Sequence, residues 1–293
     1  KIALFFHQRA LQWLRVYFCT GGLPEVVRTY ARQRDDEAAA LAAAREIQNR
    51  LAEGYRSDFS KHAGTVNANH ILRVFESIAM QLGRSQDETV GKFKFSNVLP
   101  KKKGFEAIDG PLTWLEKARL AIKCHSASGF AQPIKALTQQ NTFKAYLFDL
   151  GILNALLDLP MESIWRDELG SYKGYLAENF VAQELFALTD RPLTGWREKE
   201  SEVEFVVQRG PDLCPIEVKA SSRSRRSKSL DALIQRYHPK LSIKLTGQNR
   251  GFEEKRKILT LPLYMAGRVL EAESPTPALG VRARSRGRSR SNT

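Results

Sequence analysis

Apolar positions recur every three or four residues along "IALFFHQRALQWLRVYF" (Ile2–Phe18), the spacing of one helical face. The run ends at Gly21-Gly22, a helix stop, and Pro24-Glu25 suits the first turn of a second helix. "DDEAAALAAAREIQNRLAEGY" then carries two early aspartates and an alanine-rich body, which predicts a third. "ANHILRVFESIAMQLG" predicts an amphipathic helix closed by Gly83. "PLTWLEKARLAIKCHSAS" starts as a helix, with Leu112, Leu115, Ala118 and Ile122 on one face, and turns extended. "TFKAYLFDLGILNALL" predicts a strand, a turn at Asp149–Gly151 and a short helix, with Asp149 as turn residue or cap.

From about Ser171 the pattern becomes α/β. "GYLAENFVAQELFAL" predicts a helix and "LTGWREKE" a return to a sheet. "SEVEFVVQRGPDLCPIEVKA" (Ser201–Ala220) predicts a hairpin. "SLDALIQRYH" predicts a helix capped by Ser229, "LSIKLTG" a strand, and "ILTLPLYMAGRVLE" a last strand, Pro262 and a terminal helix. The expected fold is α+β: an N-terminal helical and winged-helix region, then an α/β domain. The boundaries expected are 1–56, helical; 57–157, winged-helix-like; 158–273, α/β; and 274–293, a basic tail too poor in apolar residues to order itself.

Charge sharpens this picture. The 293 residues hold 46 basic and 32 acidic side chains, a formal net charge of +14. Such a field favours polyanions. Helix, basic turn, helix, strand is the order of a winged helix-turn-helix. Its connector, "KFKFSNVLPKKKG", brings Lys92, Lys94, Lys101, Lys102 and Lys103. Two readings stand: lysines on phosphates, or a winged-helix-like spacer used for protein contact. The candidates for nucleic-acid contact are Lys101, Lys102, Lys103, Arg223, Arg225 and Arg226.

Several chemistries are not encoded. No Gly-x-x-x-x-Gly-Lys-Ser/Thr occurs, so no ATP phosphate cradle is expected in this chain. The five histidines form no metal-ligand spacing, and there is no Gly-x-Ser-x-Gly elbow. Cys19, Cys124 and Cys214 are odd in number and far apart, which signals neither a disulfide framework nor a zinc knuckle and favours a reducing cytoplasm. No apolar run approaches the roughly 20 residues of a membrane span. Because the chain begins with Lys1, a longer parent protein is expected to precede it.

The hairpin carries the candidate chemistry. Alternation puts Glu202 and Glu204 on one face and Val203, Phe205 and Val207 on the other, with Glu217 and Lys219 sharing a face of the second strand. If the apolar sets pack together, the charged sets converge. Converging carboxylates bind hard cations such as Mg²⁺, which activates water for phosphodiester cleavage. A further acid is expected from the preceding helix: Glu178, with Glu184 as the alternative on another face. The plain alternative is that these charges are a solvated strand face.

Glu204, Glu217 and Lys219, helped by Glu178, resemble the PD-(D/E)XK nuclease superfamily. That superfamily usually has Asp at the first strand position, and this chain has the longer Glu204. The resemblance implies catalysis by Glu204, Glu217 and Lys219 and a metal on Glu178, Glu204 and Glu217. Over a longer span, "GGLPEVV", "YRSDFSKH", "FESIAMQLG", "KAYLFDLGIL", "GYLAENFVAQEL", "SEVEFVV", "PIEVKA" and "LPLY" occur in an order similar to the C-terminal two-thirds of a prokaryotic AAA+-like ATPase family. It implies a lid remnant, a winged helix and a nuclease-like domain, with the ATP-binding half upstream in the parent protein. Three functions follow as expectations: a nucleic-acid-associated module of such an ATPase with a nuclease-like fold whose activity is left open, an active Mg²⁺-dependent nuclease, or a protein-interaction scaffold.

Overall fold

The computed structural model of the chain describes residues 1–63, 65–84, 90–166, 173–220 and 227–272. The N-terminal pattern forms α1 (Leu4–Thr20), which stops at Gly21 with φ of 69°, a conformation that favours glycine. A Cβ at Gly21 would also collide with the Asp149 carboxylate and Gly151 N. Pro24 opens α2 (Pro24–Arg32). Next come α3 (Glu37–Ala63) and α4 (Thr65–Gly83). The expected boundary at 56/57 therefore falls inside α3. The next helix, α5 (Glu106–Lys117), begins earlier than the sequence predicts and carries Pro111 within it. Glu106 and Asp109 occupy its first turn, where the helix dipole favours anions.

Strands β1 (Ala121–Ala127) and β2 (Thr138–Leu147) pair antiparallel. Asp149 then caps α6 (Leu150–Leu156), accepting from Ile152 N at 3.0 Å, and it also accepts from Gly22 N at 2.8 Å. The cap thus fixes the α1–α2 turn against α6. A short α7 (Met161–Trp165) follows.

Next is α8 (Lys173–Thr189), buried without interruption from Gly174 to Ala182. Burial on all sides obliges its polar residues to find partners. Asn179 does so by continuing the β2 ladder: its amide accepts from Leu147 N and donates to Leu147 O, both at 2.9 Å.

Beyond α8 lie β3 (Leu193–Glu198), β4 (Ser201–Val203), β5 (Phe205–Arg209), β6 (Asp212–Val218), α9 (Lys228–Tyr237), β7 (Ser242–Thr246), β8 (Gly251–Glu253) and β9 (Ile258–Pro262). Two mixed sheets result, ordered β2-β1-β3-β4 and β5-β6-β7-β9-β8. β1 pairs parallel with β3, so the first sheet spans the expected 157/158 boundary. One apolar core runs through both sheets together with α4, α5 and α8. The expected terminal helix is a 3₁₀ segment, Leu263–Arg268. Among the described residues no helix is long and apolar enough to cross a membrane. All three cysteines are buried and free.

Candidate functional site

The predicted hairpin is broken at the residue that matters most. Ser201–Val203 pairs with β3 in the first sheet, whereas Phe205–Arg209 pairs with β6 in the second. Glu204 is the pivot between sheets. A Cβ on Gly195 of β3 would lie 2.6 Å from Glu204 O, so glycine is what allows β3 to pass under the crossing. The reading of a solvated charged face is corrected here: Glu204 and Glu217 are each only 2% exposed. Alternation assumes one wet face, and this strand has none at its centre.

The predicted residues do converge. Val218 N donates to Glu204 Oε2 at 3.1 Å. Lys219 Nζ lies 3.1 Å from Glu217 Oε1 and 4.0 Å from Glu204 Oε1. Ser227 Oγ donates to Glu217 Oε1 at 2.7 Å and accepts from Leu230 N at 3.2 Å. Ser227, not Ser229, is therefore the cap of α9, because it is the serine that reaches both the helix end and the acid.

Glu178 joins from α8 with its oxygens already engaged. Oε1 accepts from Lys144 Nζ at 2.7 Å and from Tyr146 OH at 2.5 Å, and Oε2 accepts from Val90 N at 2.9 Å. Lys144 also reaches Glu202 Oε1 at 2.5 Å, and Glu202 Oε2 meets Arg197 Nη1 at 3.0 Å. Lys144, Tyr146 and Glu202 were not among the predicted site residues. The available signal was parity: in "FKAYL" Lys144 and Tyr146 share a strand face in an otherwise apolar run. Glu184 points elsewhere, toward the 3₁₀ segment, where a Cβ on Gly267 would lie 2.6 Å from its Oε2.

Burial dominates the electrostatics. It pushes Glu204 well above the usual carboxylate range, reinforced by the charges of Glu217 and Glu178. Burial alone would lower Lys144, but Glu178, Glu202 and Glu204 outweigh it and raise its proton affinity. Lys219 behaves likewise, with Glu204 and Glu217 overcoming its desolvation. Tyr146 is raised by burial and then by Glu178, so its hydroxyl keeps its proton and donates.

A magnesium ion needs open carboxylate oxygens. Glu178 accepts three donors, Glu204 is driven toward its protonated form, and Glu217 offers only Oε2, which is buried and has no partner among the described residues. Among the described residues no three acidic, histidine or cysteine groups are placed to hold a metal. The side chains as arranged do not form a magnesium site. What they form is a buried network in which lysines and hydroxyls compensate carboxylates.

Of the candidates for nucleic-acid contact, Lys101, Lys102 and Lys103 are exposed on the loop before α5. Arg223, Arg225 and Arg226 lie outside the described residues, as does the 274–293 tail.

Comparison with curated proteins and with solved structures gave no match. A family model described as a domain of unknown function, DUF4143, matches residues 173–264, which contain Glu178, Glu204, Glu217 and Lys219. A second model, also a domain of unknown function, matches residues 11–163, more than half of the chain, and on that extent the chain belongs to the DUF8612 family.

Proposed function

We propose that the chain is a nucleic-acid-associated C-terminal module of an AAA+-like ATPase, with a nuclease-like region that does not cut. In this reading 1–56 is a lid remnant, 57–157 a winged-helix-like region and 158–273 a nuclease-like region. The order α8, β3, β4/β5, β6, α9, β7 supports the last of these, since it carries Glu178 on the helix, Glu204 between β4 and β5, Glu217 on β6 and Lys219 just after it. The order α4, basic connector, α5, β1, β2 supports the middle region. The net charge of +14 supports a polyanionic partner.

One observation carries the non-cutting reading: the Lys144 ammonium sits 2.7 Å from Glu178 and so engages one of the three carboxylates that a metal would need. The cluster then serves the fold, neutralising acids that the sheet crossing forces inward.

The test uses the purified chain with end-labelled duplex and single-stranded DNA, with and without Mg²⁺ or Mn²⁺. Retention that weakens steeply with salt, and intact DNA under all conditions, is the expected result. Mg²⁺-dependent cleavage that disappears in Lys219→Ala overturns the non-cutting reading. Absence of any salt-sensitive binding overturns the nucleic-acid association.

A further inference from the structure

A cleft of about 920 Å³ lies between α4 and the extended segment 90–98. We propose that this cleft is a track for the phosphate backbone of a nucleic acid, held by Arg73, Arg84, Lys92 and Lys94. The proposal rests on the nucleic-acid reading above and gives it a location distinct from the lysine loop 101–103.

The first wall is helical. Arg73, Ser77, Gln81 and Arg84 all line the cleft and follow one another at spacings of three and four residues along α4 and the turn residue that ends it. At about 1.5 Å of rise per residue, the two arginines stand about 16 Å apart along the axis. A single phosphate group cannot bridge such a span, whereas a chain of phosphates can.

The second wall is an extended segment fixed in place without a regular strand. Phe93 N donates to Phe143 O at 2.9 Å, tying the segment to the edge strand β2. The Phe93 ring is buried and stacked on Phe143, with centroids 5.8 Å apart and an interplanar angle of 13°. Gln81 then grips Lys94 from across the cleft: its Oε1 accepts from Lys94 N at 2.7 Å and its Nε2 donates to Lys94 O at 2.9 Å. With the backbone fixed and Phe93 turned inward, Lys92 and Lys94 are directed outward together. Binding then orders only side chains, which lowers its entropic cost.

Among the described residues none of the four forms an ion pair, and the acid in the cleft, Glu76, is engaged by Arg56 at 3.0 Å. All four are solvent-exposed. The lining presents no exposed aromatic ring for base stacking, since Phe93 is buried. Phosphates, not bases, are therefore what the cleft recognises, and binding is expected to be indifferent to sequence.

The experiment measures fluorescence anisotropy of a labelled duplex against salt for three proteins: wild type, Arg73→Gln/Arg84→Gln/Lys92→Gln/Lys94→Gln, and Lys101→Gln/Lys102→Gln/Lys103→Gln. Four lost phosphate contacts should flatten the log–log salt slope by about 3 to 4 and weaken binding more than tenfold at 0.1 M salt. The Lys92→Gln/Lys94→Gln pair alone, exposed and away from the core, should give about half that change and guards against misfolding of the fourfold variant. If the cleft variants keep the wild-type slope while wild type binds, the cleft is wrong and the nucleic-acid reading survives. If wild type shows no binding, both fall. If the loop variant carries the whole loss, phosphate contact belongs to residues 101–103 and the cleft proposal is overturned.

Discussion

Replacing Lys144 by methionine removes the cation on which the buried cluster depends while keeping most of the side-chain volume. Lys144 is 3% exposed and serves two carboxylates, Glu178 at 2.7 Å and Glu202 at 2.5 Å. Glu202 retains Arg197, and Glu178 retains Tyr146 and the Val90 amide, so neither acid loses every partner. Removing one member of a buried ion pair costs about 3–5 kcal/mol, because the remaining charge stays out of water. With so little exposure, solvent screening takes nothing off that figure. At about 2 °C per kcal/mol for a chain of this size, the melting temperature should fall by about 6–10 °C. The assay is urea and thermal denaturation followed by circular dichroism. The companion variant is Lys144→Met/Glu178→Gln, in which the stranded carboxylate becomes a neutral amide. The double variant should be more stable than the sum of the single losses by about 1–3 kcal/mol, the signature of direct coupling. A Lys144→Met protein within about 1 kcal/mol of wild type would refute the view that this lysine neutralises the cluster, as would strict additivity in the double variant.

Glu204 makes stability depend on pH with a definite sign: its proton is held more tightly in the fold than in the unfolded chain. Above the ordinary carboxylate range the unfolded chain releases that proton first, so this contribution to stability falls as pH rises, by up to about 1.4 kcal/mol per unit. Glu204→Gln removes the titration, and its advantage over wild type should widen between pH 5 and 7; parallel curves would contradict the assignment. Asp149→Ala strands the Gly22 and Ile152 amides, which accounts for a loss of about 2–5 kcal/mol in urea midpoint measurements, while Asp149→Asn keeps an acceptor and should lose less. Gly195→Ala drives a methyl to within 2.6 Å of Glu204 O and 3.1 Å of Val203 O, and the backbone shift should cost about 1–3 kcal/mol; a change under about 0.5 kcal/mol would mean that the crossing is looser than it looks.

The elements legible in the sequence were those governed by local chemistry. Gly21 ended α1, Pro24 opened α2, Gly83 closed α4 and Asp149 capped α6, each for a reason contained in a few neighbouring residues. The site was half legible. Glu178, Glu204, Glu217 and Lys219 were found through alternation and family order, and they converge. Their burial was not foreseeable from period two, because the strand changes sheets at Glu204 and is covered on both sides. The choice of Ser227 over Ser229 depended on a partner, Glu217, that is distant in the local pattern. Lys144 went unnoticed because a lone lysine in an apolar strand ordinarily marks an edge, which β2 indeed is. Its side chain turns inward because Glu178 waits there. Arg73 lies within the predicted amphipathic helix and Arg84 just past its Gly83 stop, and nothing in the local pattern shows that Lys92 and Lys94 line the same cleft.

The cluster also explains why two separately matched regions form one structure. Residues 173–264 contain Glu178, Glu202, Glu204, Glu217 and Lys219, five groups with an excess of negative charge. The donors that satisfy Glu178 come from elsewhere: Lys144, Tyr146 and the Val90 amide all belong to residues 11–163. Severed from that region, α8 would carry a carboxylate with none of these three donors, along with an asparagine whose partner strand, β2, had gone. Uncompensated charge buried at a helix centre is among the costliest defects a fold can hold. The ion pair across the junction therefore does more than neutralise an acid. It makes the helix and strands of residues 173–264 depend on the region before them, and it turns a buried carboxylate into a point of cohesion.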